Sequence, residues 1–181
     1  MVPGVPYAVA AKFAHPERAV IAFVGDGAFQ MLGMNELITV KRYFERWHGN
    51  PALVFCVFNN QDLNQVTWEQ RVLTGDPKYM GRQCIPDFPY ARYAELAGFH
   101  GIYCDEGDAV GDAWAEALGA GRPCLLEVKV DPEIPPLPPH IRLDQAEEMA
   151  KAMVKGDPER IGVMEKSLRG KLAEFTEHLK R

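Results

Sequence analysis

The chain has 181 residues, of which 47% are hydrophobic and 25% charged, with a formal net charge of -5. That length suits one domain with a short appendage, and the composition excludes wholesale disorder. The acidic balance argues against a dedicated nucleic-acid or anionic-membrane binder. No apolar run approaches the length of a membrane span, and the first twenty residues have no basic stretch followed by an apolar one, so a cytoplasmic location is expected.

The elements alternate along the chain. Residues 5–14 read as a short alanine-rich helix. Val20–Val24 is a continuous apolar run ending in glycine, the pattern of a buried strand. Residues 28–46 read as a long helix with Phe29, Leu32, Leu37, Val40 and Phe44 on its apolar face. Ala52–Phe58 is a second buried strand. Residues 61–88 are irregular or partly helical, broken at Gly75-Asp76-Pro77 and Ile85-Pro86-Asp87. A helix at Tyr90–Ala97, a strand at Phe99–Cys104, a helix at Asp108–Leu118 and a strand at Cys124–Val130 follow. Strands alternating with helices predict an α/β fold: a parallel sheet with helices on both faces, a three-layer α/β/α arrangement.

After Val130 the composition changes. Residues 131–140 hold five prolines in ten and read as a stiff connector. Residues 141–181 form a helical tail. Asp144 with Glu147 resembles a capping box, and Asp157-Pro158 reads as an N-cap followed by proline at the first helical position. Ile161, Met164, Leu168, Leu172, Phe175 and Leu179 recur at helical spacing. Such a stripe buries against its own domain or against another domain or subunit.

The chemistry gathers at two strand ends. The first strand runs into Gly25-Asp26-Gly27, and a helix begins at Ala28. Open α/β sheets bind ligands at the carboxyl ends of their strands, and a helix N-terminus offers free N–H groups to a phosphate. Glycine on each side of Asp26 lets a ligand approach the backbone. A carboxylate beside a phosphate is repulsive unless a cation lies between them, and magnesium combines one or two protein oxygens with phosphate oxygens. The second strand ends in Asn59-Asn60, and a right-handed crossover makes that end a neighbour of Asp26. The glycines fit neither the dinucleotide fingerprint nor a Walker A loop.

The paired stretches GDGAFQM and FNNQDLN resemble the thiamine-diphosphate motif, and PGVPYAVAAKFAHPERAVIAFVGDGAFQM resembles the diphosphate-binding (PP) domain of the acetolactate synthase, pyruvate oxidase and pyruvate decarboxylase group. The resemblance covers residues 1–130. It implies magnesium ligation by Asp26, by the side-chain oxygen of Asn60 and by the backbone carbonyl of Asp62. It implies diphosphate contacts at Gly27 and Ala28 with Gly25 close by, a wall from Leu63 to Arg71, and Met1 as the hydrophobic prop of the cofactor. Trp68, Glu69, Gln70 and Arg71 then face either the site or solvent. Asn60 follows Asp26 by 34 residues, more than is usual for the motif, with Arg46-Trp47-His48-Gly49-Asn50 as the insertion, and Val2 stands where glycine is usual.

The resemblance also implies that the chain starts inside the last of about three domains. The glutamate that activates the pyrimidine ring would then come from a pyrimidine-binding domain outside it, often a partner subunit. No catalytic residue is assigned within these 181 residues. The implied activity is cleavage or condensation of 2-oxo acids such as pyruvate, in a homo-oligomer, with room for FAD on a further domain. The competing expectation is a catalytically silent domain acting in assembly or nucleotide binding. The histidines (His15, His48, His100, His140, His178) show no metal spacing and read as structural or surface residues, and Cys56 and Cys124 as small core residues.

Overall fold

A computed structural model describes residues 3–47, 50–134 and 142–178, with 171–178 described by their backbone alone. The chain forms two compact units: residues 1–61 with 86–130, and residues 62–85 with 131–181.

The first unit is a parallel sheet of β1 (Val20–Gly25), β2 (Leu53–Asn59), β3 (His100–Cys104) and β4 (Cys124–Lys129), in the order β1-β2-β4-β3. Side chains alternate across a strand, so one apolar run feeds two cores. Leu53, Phe55 and Val57 join Ala22, Val24 and Leu125 in a cluster with Val5 and Val9 of α1 (Gly4–Ala14), Leu37 and Val40 of α3 (Met34–Tyr43), and Tyr90 and Ala94 of α6 (Tyr90–Leu96). Val54 and Cys56 turn the other way and meet Ala113 and Ala117 of α7 (Val110–Gly119) with Leu126. Helices therefore pack on both faces, as the unbroken apolar strands require.

The long helix departs from expectation in two ways. It starts at Asp26, not Ala28: α2 (Asp26–Ala28) follows Gly25 directly and runs through a π-helical turn at Phe29–Gly33 into α3. The wider π turn takes Leu32 off the apolar face; it is 46% exposed while Phe29, Leu37 and Val40 are fully buried. Gly33 is dictated by this turn, since a Cβ there would lie 2.4 Å from the Phe29 ring. The insertion after the helix is also more than a surface loop. Trp47 is buried and packs edge-on against Phe13, with the Lys12 ammonium 5.9 Å from its ring. That ammonium donates to the carbonyls of Arg18 and Asn50 at 2.5 Å each, and burial lowers its pKa. His48 and Gly49 lie outside the described residues.

The second unit holds α4 (Asn64–Leu73), α5 (Met80–Gln83), α8 (Leu143–Val154) and α9 (Arg160–His178). Residues 131–134 form a turn rather than an extended rod, with Asp131 accepting the Glu133 N–H at 2.9 Å; 135–141 lie outside the described residues. The first tail helix starts before Asp144, and the reciprocal cap is Gln145 Oε1 accepting the Arg142 N–H at 3.2 Å, not an Asp144–Glu147 box. The second begins at Arg160, so Asp157 and Pro158 lie in the turn before it rather than at its N-cap and first position, with Asp157 Oδ1 accepting the Glu159 N–H at 2.9 Å. Over its first half the stripe does not bury against its own domain: among the described side chains of this helix Val163 is buried, while Ile161, Met164 and Leu168 are exposed. The side chains of Leu172 and Phe175, and all of Leu179, lie outside the described residues. Among the described residues no helix is long and apolar enough to cross a membrane.

Candidate functional site

Parallel pairing of β1 with β2 sets Gly25 opposite Phe58, so the two motifs leave the sheet side by side. Asp26 opens the helix there and is buried, at 2% exposure. Its Oδ1 accepts the Gly27 N–H at 2.8 Å, and its Oδ2 accepts the Gln61 N–H at 2.6 Å. The second bond ties the GDG turn to the end of the NN segment. Gln61 bends there with φ 58°, the left-handed conformation.

Asn59 is buried, and its Nδ2 donates to Glu127 Oε1 at 2.6 Å and to Asp87 Oδ1 at 3.1 Å. Glu127 in turn accepts the Ala91 N–H at 3.0 Å, so Asn59 locks β2 to β4 and to the start of α6. The bond from Asn59, with the Lys129 ammonium, holds the Asp87 carboxyl below its ordinary range. Asn60 is half-buried. Sequence reasoning missed Glu127, although a single acid within the buried run CLLEVKV signals a buried partner. It also missed Tyr90, whose hydroxyl accepts from Gln30 Nε2 at 2.6 Å and whose pKa burial pushes up to about 12.

Gly25 has an ordinary extended backbone, and a Cβ added there would meet nothing within 4 Å. Neither packing nor φ requires glycine at this position, which leaves open space beside the helix start. Ala28 lies in the first turn. The Gly27 N–H, expected to hold a phosphate, is turned onto Asp26. Met1 lies outside the described residues. Among the described residues no three His, Cys, Asp or Glu side chains gather as a metal site.

The remaining predicted residues belong to the second unit. The Asp62 carboxylate accepts Lys78 Nζ at 2.9 Å and the Thr67 hydroxyl at 3.4 Å. Leu63 precedes α4, its N–H donating to the Gln83 carbonyl at 2.8 Å. Arg71 faces neither solvent nor a ligand. It is buried and grips Asp157 with Nε at 2.8 Å and Nη2 at 2.7 Å, and Glu159 at 3.0 Å. A pairing 86 residues apart left no local signal. Trp68 is buried beside it in α4, and the Gln70 oxygen accepts from Gln83 at 2.8 Å. Glu69 lies on the exposed face with Gln65. His15 and His100 pair with Glu17 and Glu116 at the surface, as expected.

The parallel sheet brings a carboxylate, an amide and a helix start to two adjacent strand ends, the part of an open α/β sheet where ligands bind. Residues 1–128 match the family described as thiamine pyrophosphate enzyme, C-terminal TPP binding domain. The chain belongs to that family. It is 34% identical over 152 residues to YdaP of Bacillus subtilis, named as a thiamine pyrophosphate-containing protein, covering 84% of this chain and 25% of that one. It is 31% identical over 148 residues to the acetolactate synthase large subunit of Haemophilus influenzae (81% and 24%). With the sulfoacetaldehyde acetyltransferase of Rhodobacter capsulatus it shares 29% over 139 residues (72% and 22%). The chain thus spans about a quarter of the length of these curated relatives.

Proposed function

We propose that the chain holds magnesium and thiamine diphosphate as the cofactor domain of a larger enzyme that cleaves or condenses 2-oxo acids such as pyruvate. The observation that carries this reading is the buried Asp26 carboxylate bonded to the Gln61 backbone, which joins the two halves of the motif at one point. Asp26 and the Asn60 amide oxygen would ligate the cation, with the Asp62 carbonyl as the third protein ligand. Magnesium would offset the repulsion between Asp26 and the diphosphate. The open space at Gly25 gives a phosphate room against the backbone, and the first helical turn supplies N–H donors at Gly27 and Ala28. Gly27, whose N–H donates to Asp26 in the absence of ligand, and Ala28 would hold the diphosphate.

When bound, thiamine diphosphate supplies the electron sink for breaking a bond next to a carbonyl. This chain's part is to hold and orient. The acid that activates the pyrimidine comes from a separate pyrimidine-binding domain, within a homo-oligomer or from a partner. The names acetolactate synthase and sulfoacetaldehyde acetyltransferase among the relatives favour condensation or transfer of a two-carbon unit as the outcome. Titration calorimetry tests the reading. The chain should bind thiamine diphosphate only with magnesium, and Asn60→Ala should abolish that binding. Supplied with pyruvate, it should release no carbon dioxide above the free-cofactor rate. Wild-type affinity in Asn60→Ala sinks the ligand assignment, and robust decarboxylation sinks the division of labour.

A further inference from the structure

Residues 59–61 leave β2 within the first unit, and the chain there is pinned on both sides of Asn60. On one side the Gln61 N–H donates to Asp26 Oδ2 at 2.6 Å. On the other, Asn59 Nδ2 donates to Glu127 Oε1 at 2.6 Å and to Asp87 Oδ1 at 3.1 Å. Glu127 stands opposite Val57 in the register of β2 with β4, so Asn59, two residues on and on the same face, is its diagonal neighbour. The other Glu127 oxygen accepts the Ala91 N–H at 3.0 Å in the first turn of α6. Tyr90, in the same turn, reaches the other half of the motif. Its hydroxyl accepts from Gln30 Nε2 at 2.6 Å, and its ring meets Phe29 edge-on with centroids 5.7 Å apart. Phe29 and Gln30 lie in the turn that follows Asp26. The start of α6 and Glu127 thus hold the GDG and NN segments to one common support.

The support is costly. Glu127 is 3% exposed and Asn59 1%, and among the described residues the buried Asn59 Oδ1 accepts no hydrogen bond. A buried acid and a buried unpaired acceptor lower stability where apolar side chains would not. What they supply is direction, because a carboxylate that receives an N–H on each oxygen holds both donors in place. We propose that Glu127 and Asp87, acting through Asn59, are positioning residues for magnesium binding: they fix the backbone that enters Asn60, and so its place relative to Asp26. The inference rests on the cofactor reading above and uses residues of the first unit alone. It gives the start of α6, which carries no part of the motif, a share in the metal affinity.

The test uses the full chain with Asn59→Ala, Glu127→Met, the two combined, and Asp87→Ala. Hydrogen exchange is read at the Gln61 amide without ligand, with Phe55 of β2 as an internal control, and magnesium is titrated at saturating thiamine diphosphate. Asn59→Ala and Glu127→Met should each weaken the apparent magnesium affinity by about tenfold, the scale for losing a group that orients a metal ligand. Both should speed Gln61 exchange and leave Phe55 exchange unchanged. The double variant should lose no more than Asn59→Ala alone, because Glu127 acts through that side chain. Asp87→Ala should move both readings in the same direction by less. Its side chain is 63% exposed, so it carries the test if the buried variants do not fold. A lower melting temperature with wild-type magnesium affinity in the folded variants would make the network merely structural and overturn the proposal, as would additive losses in the double variant. If the wild-type chain binds no magnesium–thiamine diphosphate, the cofactor reading fails and takes this inference with it; if it binds and the variants bind equally well, this inference alone fails.

Discussion

Asp26→Ala probes the site before any ligand is added. In the wild-type protein the carboxylate receives the Gln61 N–H at 2.6 Å across 35 residues of chain, and the Gly27 N–H at 2.8 Å from its own neighbour. The second bond is local and can be replaced by water. The first is charge-assisted and non-local, and it holds Gln61 in a left-handed turn that a side chain adopts only under constraint. Losing a bond of that type costs about 1.5–3 kcal/mol. For a chain of this size each kcal/mol moves the melting temperature by about 2–4 °C, so the variant should melt roughly 3–12 °C lower without cofactor. Asp26→Asn keeps the shape and one acceptor, and should recover much of that loss. With magnesium and thiamine diphosphate together the two variants should behave alike. A site filled to about a hundred times its dissociation constant stabilises by about 2.7 kcal/mol, and both variants should forfeit that upward shift. Thermal unfolding with no additive, each additive alone and both together separates the two contributions. An Asp26→Ala protein that melts with the wild type and still rises with magnesium and cofactor would refute both the structural bond and the metal assignment.

Gly33→Ala gains about 0.5–1 kcal/mol in helix propensity but drives a methyl group to 2.4 Å from the buried Phe29 ring, an overpacking cost of about 1–3 kcal/mol; chemical denaturation should show net destabilisation. Among the cysteines, burial pushes the Cys56 thiol up to about 11 and the Cys124 thiol up to about 12, whereas Cys84 is exposed, so labelling with a disulfide reagent under native conditions should modify Cys84 first and spare the other two until unfolding. Asp157 is held below its ordinary 3.8: burial raises it, and the bonds from Arg71, Lys78 and Glu159 outweigh burial. Its contribution is therefore fully present above the unfolded-state value and is lost as pH falls through the folded one, so the Asp157→Asn variant should differ most from wild type near neutrality and converge with it in acid; a stability difference independent of pH would count against the ion-pair account.

The strands, the alternation that makes the sheet parallel and the pairing of Gly25-Asp26-Gly27 with Asn59-Asn60 are legible in the sequence. Each rests on local chemistry: unbroken apolar runs, glycines at a strand end, and a carboxylate set where phosphate would need a cation. Tertiary structure decided what depends on partners far away in the chain. The role of Asn59 follows from Glu127, which reaches it from the neighbouring strand. The π turn at Phe29–Gly33, with Phe29 buried and Leu32 exposed, is not visible in a regular 3.6-residue period. Arg71, which the motif would place towards a ligand, is claimed by Asp157 and Glu159. No spacing rule connects them, because a buried charge takes its partner from wherever folding brings one, at whatever distance along the chain.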